Sequence, residues 1–237
     1  MLFTEAFIEY IEKTPQEEIL RKNLLLEPND KLYREAVRYL GYGNGKNISP
    51  GIDSMVQKGL IEICATAEPR VMCRYFSVKE CNFALHQQEG LILMGATLGV
   101  SIDRLLNRTQ IQNMAYALVL DSCATAAIEE ICDNLEIDLT NIYAHRGRHL
   151  TNRFSPGYGS LPLSTQPKLL LLLDAERKIG LGTTQSFLLT PSKSVTAMMW
   201  VSQLQPELDR SPCKRHSSCN ICNMRHTCNF RRREVPC

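Results

Sequence analysis

The sequence predicts an α+β protein with a mixed, largely antiparallel central sheet flanked by helices and followed by a Cys-rich C-terminal tail. Three observations carry that prediction. Helical and strand-like segments interleave, but without the regular strand–helix alternation of a doubly wound sheet. The strand-like segments are short and bounded by Gly and Pro. After Gln205 hydrophobic periodicity stops, and Pro, Cys, Arg and His dominate. With 237 residues, 44% hydrophobic and 22% charged, the chain is far from collagen-like or wholly disordered compositions. The expected organisation is an N-terminal helical segment over 1–45, a core over 46–207 and a Cys-rich tail over 208–237.

Along the chain, Thr4 caps a first expected helix through Glu12, with Phe7, Ile8 and Ile11 on one face. Thr14–Leu26 offers a weaker second helix, and Leu32–Leu40 a third. The third stops at the turn-rich Gly41–Gly45. Pro50 opens a clearer helix in which Ile52, Met55, Val56, Leu60, Ile63 and Cys64 recur at helical spacing, and Pro69 ends that segment. Arg70–Val78 alternates and is rich in branched and aromatic residues, a strand. Gly90–Leu98 reads as a buried strand running into a small-residue turn at Gly95 and Gly99, with Ser101 capping the next helix. A long helix is expected over 110–135, and a shorter one over Leu169–Lys178, ended by Gly180. Thr184–Leu189 and Ser194–Val201 read as two strands joined across Thr190–Lys193.

Charge and composition exclude several functions. Lys+Arg 27 against Asp+Glu 25 leaves a net charge of +2, so no global field draws the chain to nucleic acid or membrane. One Trp and 7% aromatics give no stacking platform for single strands. The N-terminus carries acid where a signal peptide needs base. The longest apolar runs fall short of the roughly 20 residues that span a bilayer. The expectation is a cytoplasmic protein with no nucleic-acid or membrane partner.

Chemistry concentrates in three segments. The first is Arg153-Phe-Ser-Pro156-Gly157-Tyr158-Gly159-Ser-Leu-Pro162. Pro156-Gly157 forces a turn, and Gly157 and Gly159 leave backbone that a ligand can approach. The Arg153 fork suits a carboxylate or phosphate, and Tyr158 offers a ring and a hydroxyl. From these residues alone a plain surface turn with an incidental Arg is the commoner reading, because Pro-Gly turns are common. The second is the tail, where Cys213, Cys219, Cys222 and Cys228 follow a C-x5-C-x2-C-x5-C spacing. Four thiolates so spaced can close around one zinc ion or one iron–sulfur cluster, and the spacing does not choose between them. Five further cysteines, Cys64, Cys73, Cys81, Cys123 and Cys132, lie in apolar segments and read as small core residues. The third segment, His145-Arg-Gly-Arg-His149, reads as a solvated loop rather than a metal site. No Walker loop, dinucleotide fingerprint, H-E-x-x-H or nucleophile elbow is present. No residue stands out as catalytic.

Arg153–Trp200 reads RFSPGYGSLPLSTQPKLLLLLDAERKIGLGTTQSFLLTPSKSVTAMMW. It resembles the activation (reactivation) domain of cobalamin-dependent methionine synthase. The matching features are Arg153, Gly157, Tyr158, Pro162, Ile179-Gly180, Ser186-Phe187, Pro191 and Ser194-Val195, in that order. The upstream run GATLGVSIDRLL and the helix with Asp121 and Glu129-Glu130 resemble the stand-alone subunit branch. The likeness spans roughly Arg34 to Gln203. It implies an accessory subunit that binds S-adenosylmethionine and presents its methyl group to cob(II)alamin on a partner, with an electron from a flavodoxin-like donor. Arg153 would hold the ligand carboxylate, the backbone around Pro156, Gly157 and Gly159 would hydrogen-bond it, and Tyr158 would face the corrinoid or the methyl group. The fused enzymes place an acidic residue for the ligand's amino group where this chain has Thr125, and a Tyr-Tyr pair where it has none. Two other roles stay open: a docking module for a corrinoid protein without S-adenosylmethionine, and iron–sulfur electron transfer through the tail.

Overall fold

The computed structural model describes residues 16–22, 24–42, 48–78, 88–158 and 161–203. The expected Thr4–Glu12 helix, Cys81, Gly159 and the tail cysteines lie outside these residues. Five strands form one sheet in the order β1-β2-β3-β7-β4, and every pairing in it is antiparallel. The strands are β1 (Gln16–Lys22), β2 (Arg70–Ser77), β3 (Gln88–Thr97), β4 (His149–Leu150) and β7 (Ser194–Ser202). A two-stranded hairpin pairs β5 (Gly182–Thr183) with β6 (Leu189–Thr190).

The helices divide between the two faces. On one lie α1 (Asp30–Tyr39), α2 (Pro50–Thr66), α3 (Val100–Gln112) and α4 (Met114–His145); on the other lie α5 (Gln166–Leu173) and α6 (Ala175–Ile179). Strand β3 shows why both are needed: Ile92 and Met94 enter the α1–α4 core, Leu91 and Leu93 the α5–α6 core. A strand covered on both faces reads as an unbroken apolar run, which is what Gly90–Leu98 does. Helix α2 begins at Ser49, whose side chain accepts from the Ile52 N–H, with Pro50 in the first turn. Gly59 lets α2 approach α4 closely: a Cβ there would lie 3.2 Å from the Cys123 sulfur.

Several local expectations are corrected. Within Thr14–Leu26, Gln16–Lys22 is strand β1, not helix. Its helix-forming Glu, Leu and Arg are overruled by the β2 edge, which offers backbone partners along its whole length. Gly95 sits inside β3, and Ser101 is no cap: α3 starts after Gly99 with no side-chain cap, while Ser101 donates to Glu68 at 2.8 Å. The long helix is two. Asn113 leaves helical geometry, caps Tyr116 N–H at 3.0 Å and restarts the chain as α4, which runs on to His145. Helix Leu169–Lys178 breaks at left-handed Asp174 (φ 55°) into α5 and α6. Thr184–Leu188 is the turn of the β5–β6 hairpin rather than a strand. His145 therefore ends a helix and His149 opens β4.

Strand β1 is tied across the sheet by Glu18, which pairs with Arg74 at 2.8 Å and with Lys178 of α6. The Lys178 hydrogen bond, opposed by burial and reinforced by Arg74, holds the Glu18 carboxyl below its ordinary pKa. A depressed acid stabilises the fold above its unfolded pKa and loses that contribution as pH falls through its folded value. Glu18→Gln is expected to cost about 0.5–1 kcal/mol near neutrality, the gap to wild type closing below about pH 4. Urea titrations at several pH values measure this, and a gap that stays constant in acid contradicts the assignment.

Candidate functional site

Helix α4 is apolar on the side facing the sheet but carries Asp121, Thr125, Glu129, Asp133 and Glu136 along one outer face, three or four residues apart. That spacing aligns side chains on one stripe of a helix. Three cations from elsewhere in the chain meet the stripe.

Arg153 arrives from the strand edge. After β4, Phe154 makes an antiparallel bridge to Met198 of β7, with N–H···O distances of 3.0 and 2.9 Å. Alternation along an extended segment then sends Arg153 to the α4 side. Its guanidinium Nη2 donates to Asp133 at 2.9 Å and Glu129 at 3.2 Å, and Nε lies 3.3 Å from Glu136. Lys31 of α1 also reaches Asp133, at 3.2 Å. Burial works against the Arg153 charge, but the surrounding anionic groups outweigh it and hold its pKa above the ordinary arginine value. Arg153 Nη1 is enclosed with no hydrogen-bond partner.

The bend at Ser155–Leu161 closes on itself. Gly157 N–H donates to Leu161 O at 2.8 Å, Tyr158 N–H to Ser155 O and Leu161 N–H to Tyr158 O. Gly157 has φ 91°, a conformation that strains any residue with a Cβ. Pro156 is buried beneath the bend, and the Tyr158 ring projects from it, 62% exposed. The N–H groups of Phe154, Gly157 and Tyr158 are thus already bonded within the fold.

Lys193 arrives from the loop before β7. Its ammonium lies 2.9 Å from Thr125 Oγ1 and 2.8 Å from Asp121. On the opposite side of β7, buried Thr196 hydrogen-bonds Gln166, the first residue of α5, at 2.8 Å. The structure therefore brings Arg153 to Glu129 and Lys193 to Asp121 and Thr125 on one face of α4, and Pro156, Gly157 and Tyr158 follow Arg153 in the bend. Lys193, Asp133 and Glu136 went unnoticed in the sequence. Glu129, Asp133 and Glu136 at i, i+4 and i+7 are the signal for the acidic stripe. Lys193, remote in sequence from its partners, left none.

Residues 112–206 match the family described as vitamin B12 dependent methionine synthase, activation domain. Over that stretch the chain is similar to the methionine synthase activation domain. That stretch contains α4, the Arg153–Tyr158 bend, Lys193 and β7. Among solved structures, the chain is similar to the MetH reactivation domain bound to AdoHcy, with a TM-score of 0.58 and 14% identity over 87% of this chain and 85% of that one. This likeness extends the shared fold beyond residues 112–206, to strands and helices on the N-terminal side. No curated protein matches the chain.

Outside this site the described thiols are shielded. Cys73, Cys123 and Cys132 are buried, and Cys64 is half-buried. Burial pushes Cys73 and Cys123 up to about 12 and Cys64 to about 11. Iodoacetamide should leave Cys73, Cys123 and Cys132 unmodified in the native protein and label them after unfolding, as mass spectrometry would report. Rapid native labelling of any of the three contradicts this packing. Among the described residues no cluster of His, Cys, Asp or Glu is placed to hold a metal ion, and no helix is long and apolar enough to cross a membrane.

Proposed function

We propose that this chain is an accessory subunit for reductive reactivation of a cobalamin-dependent methionine synthase or related corrinoid protein, and that it binds S-adenosylmethionine between the α4 face and the bend at Arg153, Pro156, Gly157, Tyr158 and Gly159. The observation that carries the reading is a coincidence of place: the residues matching the activation-domain family are those that build the charged face and the exposed bend. Charge supports the ligand class. Asp121, Glu129, Asp133 and Glu136 set four carboxylates against the three cations Arg153, Lys193 and Lys31. S-adenosylmethionine, with an ammonium, a carboxylate and a sulfonium, carries one net positive charge and suits a face one unit negative.

The partner's corrinoid and the ligand's sulfonium supply the reactivity, and a flavodoxin-like or other reductase supplies the electron. The chain's own residues bind and orient. The α4 carboxylates hold the cationic ligand, and the bend fixes its depth. The Tyr158 ring, standing out from Gly157, covers the reacting end and excludes water once the partner docks. We further propose that Cys213, Cys219, Cys222 and Cys228 hold zinc or an iron–sulfur cluster, which metal and acid-labile sulfide analysis of anaerobically purified protein decides.

Calorimetry with S-adenosylmethionine tests the main reading, performed with and without a cobalamin-loaded methionine synthase lacking its own activation region. Binding in either arm, with methylcobalamin appearing in the visible spectrum once a reductant is added, is the expected result. Docking to the cobalamin protein with no S-adenosylmethionine binding in either arm would reduce the chain to a docking module.

A further inference from the structure

Strand β1 is the last strand at its end of the sheet and, among the described residues, pairs only with β2. Its register to β2 runs through all seven residues without a shift. The other end of the sheet is closed differently. There β4 has two residues, and the chain beyond it turns into the bend after one further bridge to β7. Strand β1 is therefore the long edge, with a row of backbone N–H and C=O groups on its outer side. Folded proteins block such an edge with Pro, a bulge, a covering element or charge. Strand β1 has no Pro and no bulge. Charge of one sign would repel a second copy, but β1 carries both signs: Glu17 and Glu18 in its first half, Arg21 and Lys22 in its second.

The order of those charges decides what fits the edge. When two β1 strands run antiparallel, only the register centred on Ile19 overlaps all seven residues. It sets Glu17 of each copy directly opposite Arg21 of the other, and Ile19 opposite Ile19. Directly opposed residues hold their Cβ atoms about 4.5–5.5 Å apart, within reach of an ion pair. Glu17, Ile19 and Arg21 share one face of the strand, the face on which Ile19 packs against the α1–α4 core.

The same side chains already have partners within the chain. Arg146 reaches Glu17 at 2.9 Å, and Arg21 reaches Asp138 at 2.5 Å. All four side chains are between 40% and 62% exposed, so each pair is open to a further neighbour. Two copies joined at β1 would extend these pairs into two rows, each running Asp138–Arg21 in one copy and Glu17–Arg146 in the other. Signs alternate along each row, and every new contact joins unlike charges.

We propose that β1 is a homodimer interface, in which two copies of this chain pair their β1 strands antiparallel about a two-fold axis at Ile19. The two five-stranded sheets then become one. The bend lies beside β7, three strands away from β1, so both copies keep it open to other partners. This interface does not rest on the S-adenosylmethionine reading.

Analytical ultracentrifugation of the full chain in reducing buffer, at about 10–100 µM, tests it. Wild type should sediment as a dimer. Glu17→Arg and Arg21→Glu, each alone, set like charges opposite one another twice and should weaken the dimer about tenfold or more. Mixed in equal amounts, the two variants should form a dimer with one copy of each, because both crossings then join unlike charges. Native mass spectrometry identifies the mixed pair, and a misfolded variant could not produce it. A monomeric wild type over this range would overturn the proposal. So would a dimer that neither substitution weakens, or two monomeric variants that stay monomeric on mixing.

Discussion

Arg153→Leu is expected to cost about 2–3 kcal/mol of stability near neutrality, and the loss should shrink as salt is added. Removing one partner of a fully buried ion pair typically costs about 3–5 kcal/mol, and an exposed pair about 0–1. Arg153 lies between these limits, with its side chain 18% exposed and those of Glu129, Asp133 and Glu136 40%, 25% and 19% exposed. Without the guanidinium, these carboxylates face one another on a single helix stripe. Their mutual repulsion is then unrelieved in the folded state, and added salt screens it. Urea unfolding of both proteins at low and high salt measures the gap. Adding Asp133→Asn and Glu136→Gln should recover most of the loss. A loss that neither salt nor the double substitution reduces would mean that Arg153 contributes packing by its stem and not charge neutralisation.

The parts of this site that the sequence revealed are those whose signal is local. Pro156-Gly157 dictates a turn whatever lies around it, and the structure places a positive φ at Gly157. The start of α2 at Pro50 and the doubly buried run of β3 are equally local. The features that escaped need a partner from afar. Gln16–Lys22 has the residues of a helix and becomes a strand because β2, some fifty residues later, presents an open edge. Arg153 reads as an isolated fork in the sequence, and its partners on α4 show only in the structure. Lys193 is one lysine among many until the loop before β7 sets it on Thr125. Breaks at Asn113 and Asp174 were missed for a different reason. Both interrupt continuous helical periodicity with a single residue, and only its side-chain cap or left-handed backbone shows that the helix restarts.

Phe76→Ala should be the most destabilising single truncation in the α5–α6 layer, at about 3–5 kcal/mol. Phe76 is fully buried, lies opposite Leu91 across β2 and β3, and belongs to the cluster formed by Met72, Leu93, Leu169, Leu173 and Met198. The effect should also be uneven. This cluster is smaller than the α1–α4 core, and α5 and α6 are two short helices with a left-handed residue between them. They hold little structure of their own once the cluster loosens. Gln166 heads α5 and bonds Thr196, while Met198, two residues further along β7, carries the bridge to Phe154. Loosening α5 therefore reaches the bend through β7 and not through the acidic face. Hydrogen exchange should accelerate across residues 163–181 and at the Phe154 and Met198 amides, while Leu120–Ile131 in α4 keeps its protection relative to global stability. A uniform loss over both layers would show instead that the two cores unfold as one unit, with the bend no more dependent on α5 than on α4.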